Sequence, residues 1–244
     1  MRSSQLTINR VFIIGYDVAH PIFPVNRCRA PSVVGVSFNS GAQIQAFIGD
    51  YFYQNPLEES VDTDQLSEVI SRALKVRIHM RPKARAPELI VVYRDGLSEG
   101  QFAMALNDEL RGIMNGLRAN YSTVTPQVLF VVATKNHNRR FYTMNGRNLA
   151  PGSVVSDGAA RAFAAKCLST EDITYAFCFE HQIVNSATSQ PTPTYQAHEL
   201  AKRGANNLRI YAKYYPSTVE SESKILNEKL SYANSPLGFV RFNA

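Results

Sequence analysis

Two aspartates carry the first chemical signal in this chain. Asp17 follows the apolar run Arg10 to Tyr16, and Asp95 follows a second one, Glu88 to Tyr93. An acidic side chain at the end of a buried strand is partly sheltered and holds its charge only beside a cation or a hydrogen-bond donor. Two of them on neighbouring strands repel unless a divalent ion lies between. Two-metal phosphoryl-transfer sites use that arrangement, with Mg²⁺ ions ~3.5–4 Å apart clamping the attacking and leaving oxygens. The plainer reading makes both residues strand-to-turn aspartates, since Asp favours turns. A basic cluster, Lys135, His137, Arg139 and Arg140, follows a later strand on the same side. Such residues neutralise phosphates with an affinity that falls as salt rises, or they form a solvated loop.

The elements that must position these residues alternate. Arg10 to Tyr16 reads as a buried strand. Val33 to Phe38 and Gln43 to Ile48 read as two more, joined by the turn Asn39-Ser40-Gly41. From Asp64 the apolar spacing changes, with Leu66, Val69, Ile70, Ala73 and Leu74 on one helical face. After the strand Glu88 to Tyr93, Ser98 and Gln101 form a capping-box pair. They introduce a helix whose Phe102, Leu106, Leu110, Ile113 and Leu117 share a face. Gln127 to Ala133 is another buried strand, and past the loops at Asn145-Gly146 and Pro151-Gly152 the chain turns largely helical. Strands joined by helical crossovers imply an α/β fold, a mixed sheet flanked by helices, with functional groups beyond the strands' carboxyl ends.

Composition removes several classes. The 244 residues fit one large domain or two small ones at ~150 residues per domain. No repeat or low-complexity segment divides them, which favours one. The chain is 45% hydrophobic and 19% charged, a globular balance. Lys+Arg 26 against Asp+Glu 20 gives a net charge of +6 and a pI near 9.3, which permits an anionic partner without requiring one. No run of ~18 apolar residues could span a membrane, and the N-terminus lacks a signal-peptide pattern. Cys28, Cys167 and Cys178 are too few and scattered for a disulfide framework or a metal knuckle, so an intracellular location, cytoplasmic or nuclear, is expected. No glycine-rich nucleotide loop follows any strand.

Five words in series then resemble the PIWI domain of Argonaute proteins. Asp17-Val18-Ala19-His20-Pro21 resembles the Asp-Val-x-His motif that opens that domain. Tyr93-Arg94-Asp95-Gly96-Leu97-Ser98-Glu99-Gly100-Gln101-Phe102 is similar to its second signature at almost every position. Lys135 to Phe141 resembles its basic Lys-x-His-x-x-Arg element, and Pro151-Gly152-Ser153-Val154-Val155 its Pro-Gly-Thr-Val-Val turn. Gln190-Pro191-Thr192-Pro193-Thr194-Tyr195-Gln196-Ala197-His198 resembles its Pro-x-Pro-x-Tyr-x-Ala-His element. The words cover residues 8–215 in the family's order, and a ten-residue match such as 93–102 is specific.

The resemblance implies a ribonuclease H-like fold over residues 8–244. It implies a metal-dependent endoribonuclease of the slicer type, holding Mg²⁺ or Mn²⁺ on Asp17, Asp95 and His198, with a glutamate completing the set. That glutamate is Glu58 or Glu59, and Glu59 is preferred. The resemblance further assigns Lys135, His137 and Arg140 to RNA and Arg203 to the guide's 5′ phosphate. The partners implied are a small guide RNA, target RNA and other silencing proteins. Three departures stand out. The signature starts within the first twenty residues, so a PIWI-only chain without PAZ and MID domains is expected. The segment around 156–172 is shorter than the family's two strands and is alanine-rich, hence helix-permissive. Asn136 replaces a base. The tail Phe242-Asn243-Ala244 resembles the family's C-terminus. The alternative function is therefore a catalytically inactive nucleic-acid or protein-interaction module, a truncated Argonaute.

Overall fold

The computed structural model describes residues 10–22, 24–25, 28–43, 45–134, 140–151, 153, 170–181, 184–215 and 223–240. A five-stranded sheet runs through its centre. It comprises β1 (Val11–Ala19), β4 (Ser32–Phe38), β5 (Ile48–Gln54), β6 (Leu89–Asp95) and β7 (Gln127–Ala133), in the order β5-β4-β1-β6-β7. A two-residue ladder, β2 (Pro24–Val25) with β3 (Cys28–Arg29), precedes β4. β1 pairs antiparallel with β4 and β4 with β5, whereas β1–β6 and β6–β7 are parallel. The parallel pairs are joined through helices, as a crossover connection requires. This is the ribonuclease H-like mixed sheet expected above.

Alternation along the strands divides the core in two. Phe12, Ile14 and Tyr16 of β1, with Val34, Val36, Ile90 and Val92, face α1 (Thr63–Met80) and α3 (Leu110–Arg118). Ile13, Val91 and Tyr93 face the other way, against Phe177 of α4 (Thr170–Cys178). On that second face the 23-residue helix α5 (Thr192–Tyr214) crosses β1 and β4, and α6 (Ser223–Leu230) closes over β5 through Leu226.

Several expected boundaries move. β1 continues through Asp17 to Ala19 because β4 pairs with it along that length, setting Asp17 opposite Gly35. The strand expected over Gln43 to Ile48 is instead Ile48–Gln54. Before it, Gly41 N–H donates to the Ala46 carbonyl at 3.0 Å. Asp50 lies within this strand, 2% exposed. Arg72 and the amides of Tyr51 and Tyr232 satisfy its carboxylate.

The helix after β6 does not carry one continuous apolar face. A 3-10 turn at Glu99–Gln101 leads to α2 (Phe102–Met104) and then to a π-helical segment, Ala105–Glu109, before α3. The wider turn rotates Phe102 and Leu106 outward, 38% and 51% exposed, and turns Ala105 and Glu109 inward. At the end of α1, Arg77 is fully buried and donates to the Arg85 carbonyl at 3.0 Å. The Ser156 to Cys167 stretch lies outside the described residues; of the segment around 156–172 only the start of α4 at Thr170 is described.

Candidate metal centre

Register brings the two aspartates side by side. Tyr16 is level with Arg94 across the parallel pair β1–β6, so Asp17 and Asp95 are next in step and emerge on the same face. Adjacent strands lie about 4.8 Å apart, which sets the spacing of the carboxylates. Asp17 is 6% and Asp95 5% exposed. The face they share is the one that α5 crosses.

His198 arrives from that helix, which sits unusually close to the sheet. A Cβ on Gly35 would overlap the Ala197 carbonyl oxygen and the Ala201 amide nitrogen, and one on Gly15 would overlap the Pro193 carbonyl. Ala197, Ala201 and Gly204 provide the matching small residues on the helix. The helix start is anchored by Ser37 Oγ donating to the Pro193 carbonyl at 2.6 Å and Thr192 Oγ1 to the Phe177 carbonyl at 2.8 Å. His198 Nδ1 then stands 2.6 Å from Asp17 Oδ2. The carboxylate only accepts, so this ring nitrogen donates. Asp95 Oδ2 accepts from Gln190 Nε2 at 2.7 Å.

Among the described residues, Asp17, Asp95 and His198 form the group that could hold one metal ion, each offering a ligand atom within 4.8 Å of the others. The donor set fits the ion implied above. Two carboxylates and one imidazole suit Mg²⁺ through its oxygens and Mn²⁺ through all three.

Glu59 is not in this group. It lies in the loop between β5 and α1, where its Oε1 accepts from Arg94 Nη2 at 3.1 Å and its Oε2 from His20 Nε2 at 2.9 Å. Glu58 is exposed. Arg94 points to the opposite face from Asp95 and is fully buried. It also donates to the carbonyls of Asp95 at 2.5 Å and Glu59 at 2.8 Å, and reaches Glu109 Oε2 at 3.4 Å. Burial disfavours its charge, but Glu109, Tyr16 and Glu59 carry its pKa above the ordinary arginine value. Tyr16 donates to Glu109 Oε2 at 2.7 Å, and burial followed by Glu109 raises its phenol well above the usual range. The Glu59 loop is thus tied to the end of β6 through one buried guanidinium.

Of the residues expected to contact RNA, Lys135 and His137 lie outside the described residues, as do Asn136 and Arg139. Arg140 is exposed after them. Arg203 is exposed on α5, five residues beyond His198, a spacing that turns it away from the aspartates. Sequence reasoning did not single out His20, Arg94, Glu109 or Gln190. His20, Arg94 and Gln190 stand inside or at the edge of the quoted motifs without a role of their own; Glu109 follows no spacing rule.

Comparison with known proteins finds relatives over most of the chain. Residues 1–168 match the Piwi domain family. The Argonaute protein wago-1 of Caenorhabditis elegans is 27% identical over 257 residues, covering 88% of this chain and 26% of that protein. Protein argonaute-2 of Drosophila melanogaster is 28% identical over 234 residues, covering 81% of this chain and 18% of that protein. The chain therefore spans about a quarter or less of the length of these curated relatives. The C-terminal lobe of a budding yeast Argonaute superposes with a TM-score of 0.72 at 19% identity, over 88% of this chain and 51% of that one. Kluyveromyces polysporus Argonaute with a guide RNA gives 0.72 at 18% identity, over 88% and 29%. At these identities the structures share the ribonuclease H-like fold.

Proposed function

Because the chain belongs to the Piwi domain family, we propose that it acts in small-RNA-guided silencing, as a ribonuclease H-like unit over residues 8–244 that pairs with guide and target RNA and hydrolyses the target phosphodiester. The observation that carries the reading is the convergence of Asp17, Asp95 and His198 within 4.8 Å, from two strands and a helix far apart in sequence. Bound there, Mg²⁺ or Mn²⁺ would supply Lewis-acid stabilisation of the charge on the scissile phosphate and an activated water.

The chain's own residues do the rest. Asp17 and Asp95, sheltered and in step, present oxygens on one face. His198 presents a nitrogen from a helix that Gly15 and Gly35 let seat closely on the sheet. Glu59 is the fourth acidic residue of this reading, with its carboxylate shared between Arg94 and His20. Lys135, His137, Arg140 and Arg203 are the cations assigned to RNA phosphates. Guide RNA, target RNA and further silencing proteins are the partners of this reading, in the cytoplasm or nucleus. Among the described residues no helix is long and apolar enough to cross a membrane.

The test is RNA cleavage in Mg²⁺ or Mn²⁺ by the full chain, with a complementary guide. Cleavage that disappears in Asp95→Asn supports the reading, and cleavage unchanged by that substitution sinks it. A second reading, an RNA-binding module that does not cut, is favoured by the two bonds that hold Glu59 outside the group of three. Salt-sensitive RNA binding in the absence of any cation-dependent cleavage would select it.

A further inference from the structure

Gln190 occupies the bend just before Pro191, the N-cap of α5, the helix that carries His198. Its side chain is 2% exposed. One end of the amide is used: Nε2 donates to Asp95 Oδ2 at 2.7 Å. The other is not. Oε1 is buried and has no hydrogen-bond partner among the described residues. A buried amide with an unmet acceptor costs stability that leucine or methionine, filling the same space, would not. The backbone on either side is fixed, by Thr188 Oγ1 donating to the Gln190 carbonyl at 2.5 Å and by the Thr192 bond to Phe177. The amide orientation follows from its partner, because a carboxylate accepts and only the NH₂ end can donate to it.

We infer that Gln190 is a positioning residue for a divalent cation held by Asp17, Asp95 and His198, an inference that rests on the metal reading above. Its Nε2 fixes the rotation of the Asp95 carboxylate. Its Oε1 sits on the same planar amide, one amide width from that bond, and accepts a hydrogen bond from a water on the cation. Water polarised by a divalent ion is a strong donor, and a buried, unpaired carbonyl oxygen beside the carboxylate is the acceptor it needs. Outer-sphere partners of this kind set ligand orientation and tune affinity. The same turn of chain that starts α5, and so delivers His198, also delivers this second contact to Asp95.

The test is Mn²⁺ binding to the full chain, followed by the electron paramagnetic resonance signal of free Mn²⁺, with melting temperature measured in cation-free buffer. Gln190→Leu and Gln190→Met keep the volume and remove both polar ends. The expected result is a protein that still melts cooperatively, with Mn²⁺ binding weakened by about 10-fold or more. Asp95→Asn is the control and should abolish binding. Loss of binding in Asp95→Asn while both Gln190 variants bind as tightly as the parent overturns the inference alone. Loss of the cooperative melt in both Gln190 variants overturns it too, because Gln190 would then be a packing residue. Absence of saturable Mn²⁺ binding by the parent, or its persistence in Asp95→Asn, overturns the metal reading and this inference with it.

Discussion

His198 Nδ1 and Asp17 Oδ2 lie 2.6 Å apart, so a helix residue and a strand residue separated by 181 positions share one hydrogen bond. Nothing local dictates that contact. It follows from α5 crossing β1 at a distance that only small residues permit, and from Asp17 lying inside its strand, where pairing to Gly35 fixes its direction. A cation that takes the same nitrogen must replace its proton, so imidazole and carboxylate are already arranged as ligands with a proton between them.

Replacing His198 tests that arrangement directly. The side chain is 31% exposed, so His198→Ala should change stability by less than about 1 kcal/mol. Divalent-cation affinity should fall by more than the roughly 10–100-fold typical of outer-sphere losses. Calorimetric titration with Mn²⁺ and a thermal melt measure both. Unchanged affinity would remove His198 from the ligand set.

The seating of the helix gives a second expectation. In Gly35→Ala the new methyl overlaps the backbone of Ala197 and Ala201, next to His198, and backbone cannot step aside as a flexible side chain can. Overpacking of this sort costs roughly 1–3 kcal/mol, occasionally more. Because the displaced element carries a ligand, cation affinity should fall as well. Ile70→Val, in the core on the opposite face, should cost roughly 0.5–1.5 kcal/mol and leave affinity unchanged. Equal loss of affinity in both would show that helix seating is not what matters.

Glu109 makes a third. Its carboxylate serves Tyr16, Arg94 and the Val61 amide at 2.7, 3.4 and 3.1 Å, and it is fully buried. Glu109→Gln leaves the Arg94 guanidinium short of a buried counter-charge, and breaking such pairs costs roughly 3–5 kcal/mol. Chemical denaturation should register that loss without a change in the fold's secondary structure. A loss below ~1 kcal/mol would mean that Glu59 alone neutralises Arg94.

These residues mark how far sequence reading went. Asp17 and Asp95 stood out because apolar runs led up to them, and their register follows from two parallel strands. His198 was visible only through its motif, since a lone histidine on a polar helix face carries no signal of its own. β7 was legible in its bounds because six consecutive apolar positions leave little choice, although at the edge of the sheet it is half-buried rather than the buried strand expected. β5 was not: Gly49-Asp50 has the composition of a turn, and only Arg72 with two distant amides makes Asp50 tolerable in a strand. The π-helical segment was equally hidden, as an apolar spacing of three and four is what an uninterrupted α-helix would show. Gln190 stood at the edge of its motif without a role, because a single amide before a proline has no period and its contact depends on which carboxylate the fold brings to it.

A pH-dependent prediction comes from Glu180, half-buried beyond α4, with Oε2 lacking a hydrogen-bond partner among the described residues. Burial raises its carboxyl above the ordinary glutamate value. A raised pKa means that the folded state holds the proton more tightly than the unfolded chain does. The contribution is therefore fully favourable below the unfolded pKa and is lost as pH rises through the folded one. At neutral pH the folded protein must carry a poorly solvated charge, which Glu180→Gln removes. The variant should melt above the parent near neutral pH, and the gap should close towards about pH 4, where the glutamate of both states takes up its proton. Paired melts across that range measure the difference, and a gap that stays constant with pH would show that burial does not disfavour this charge.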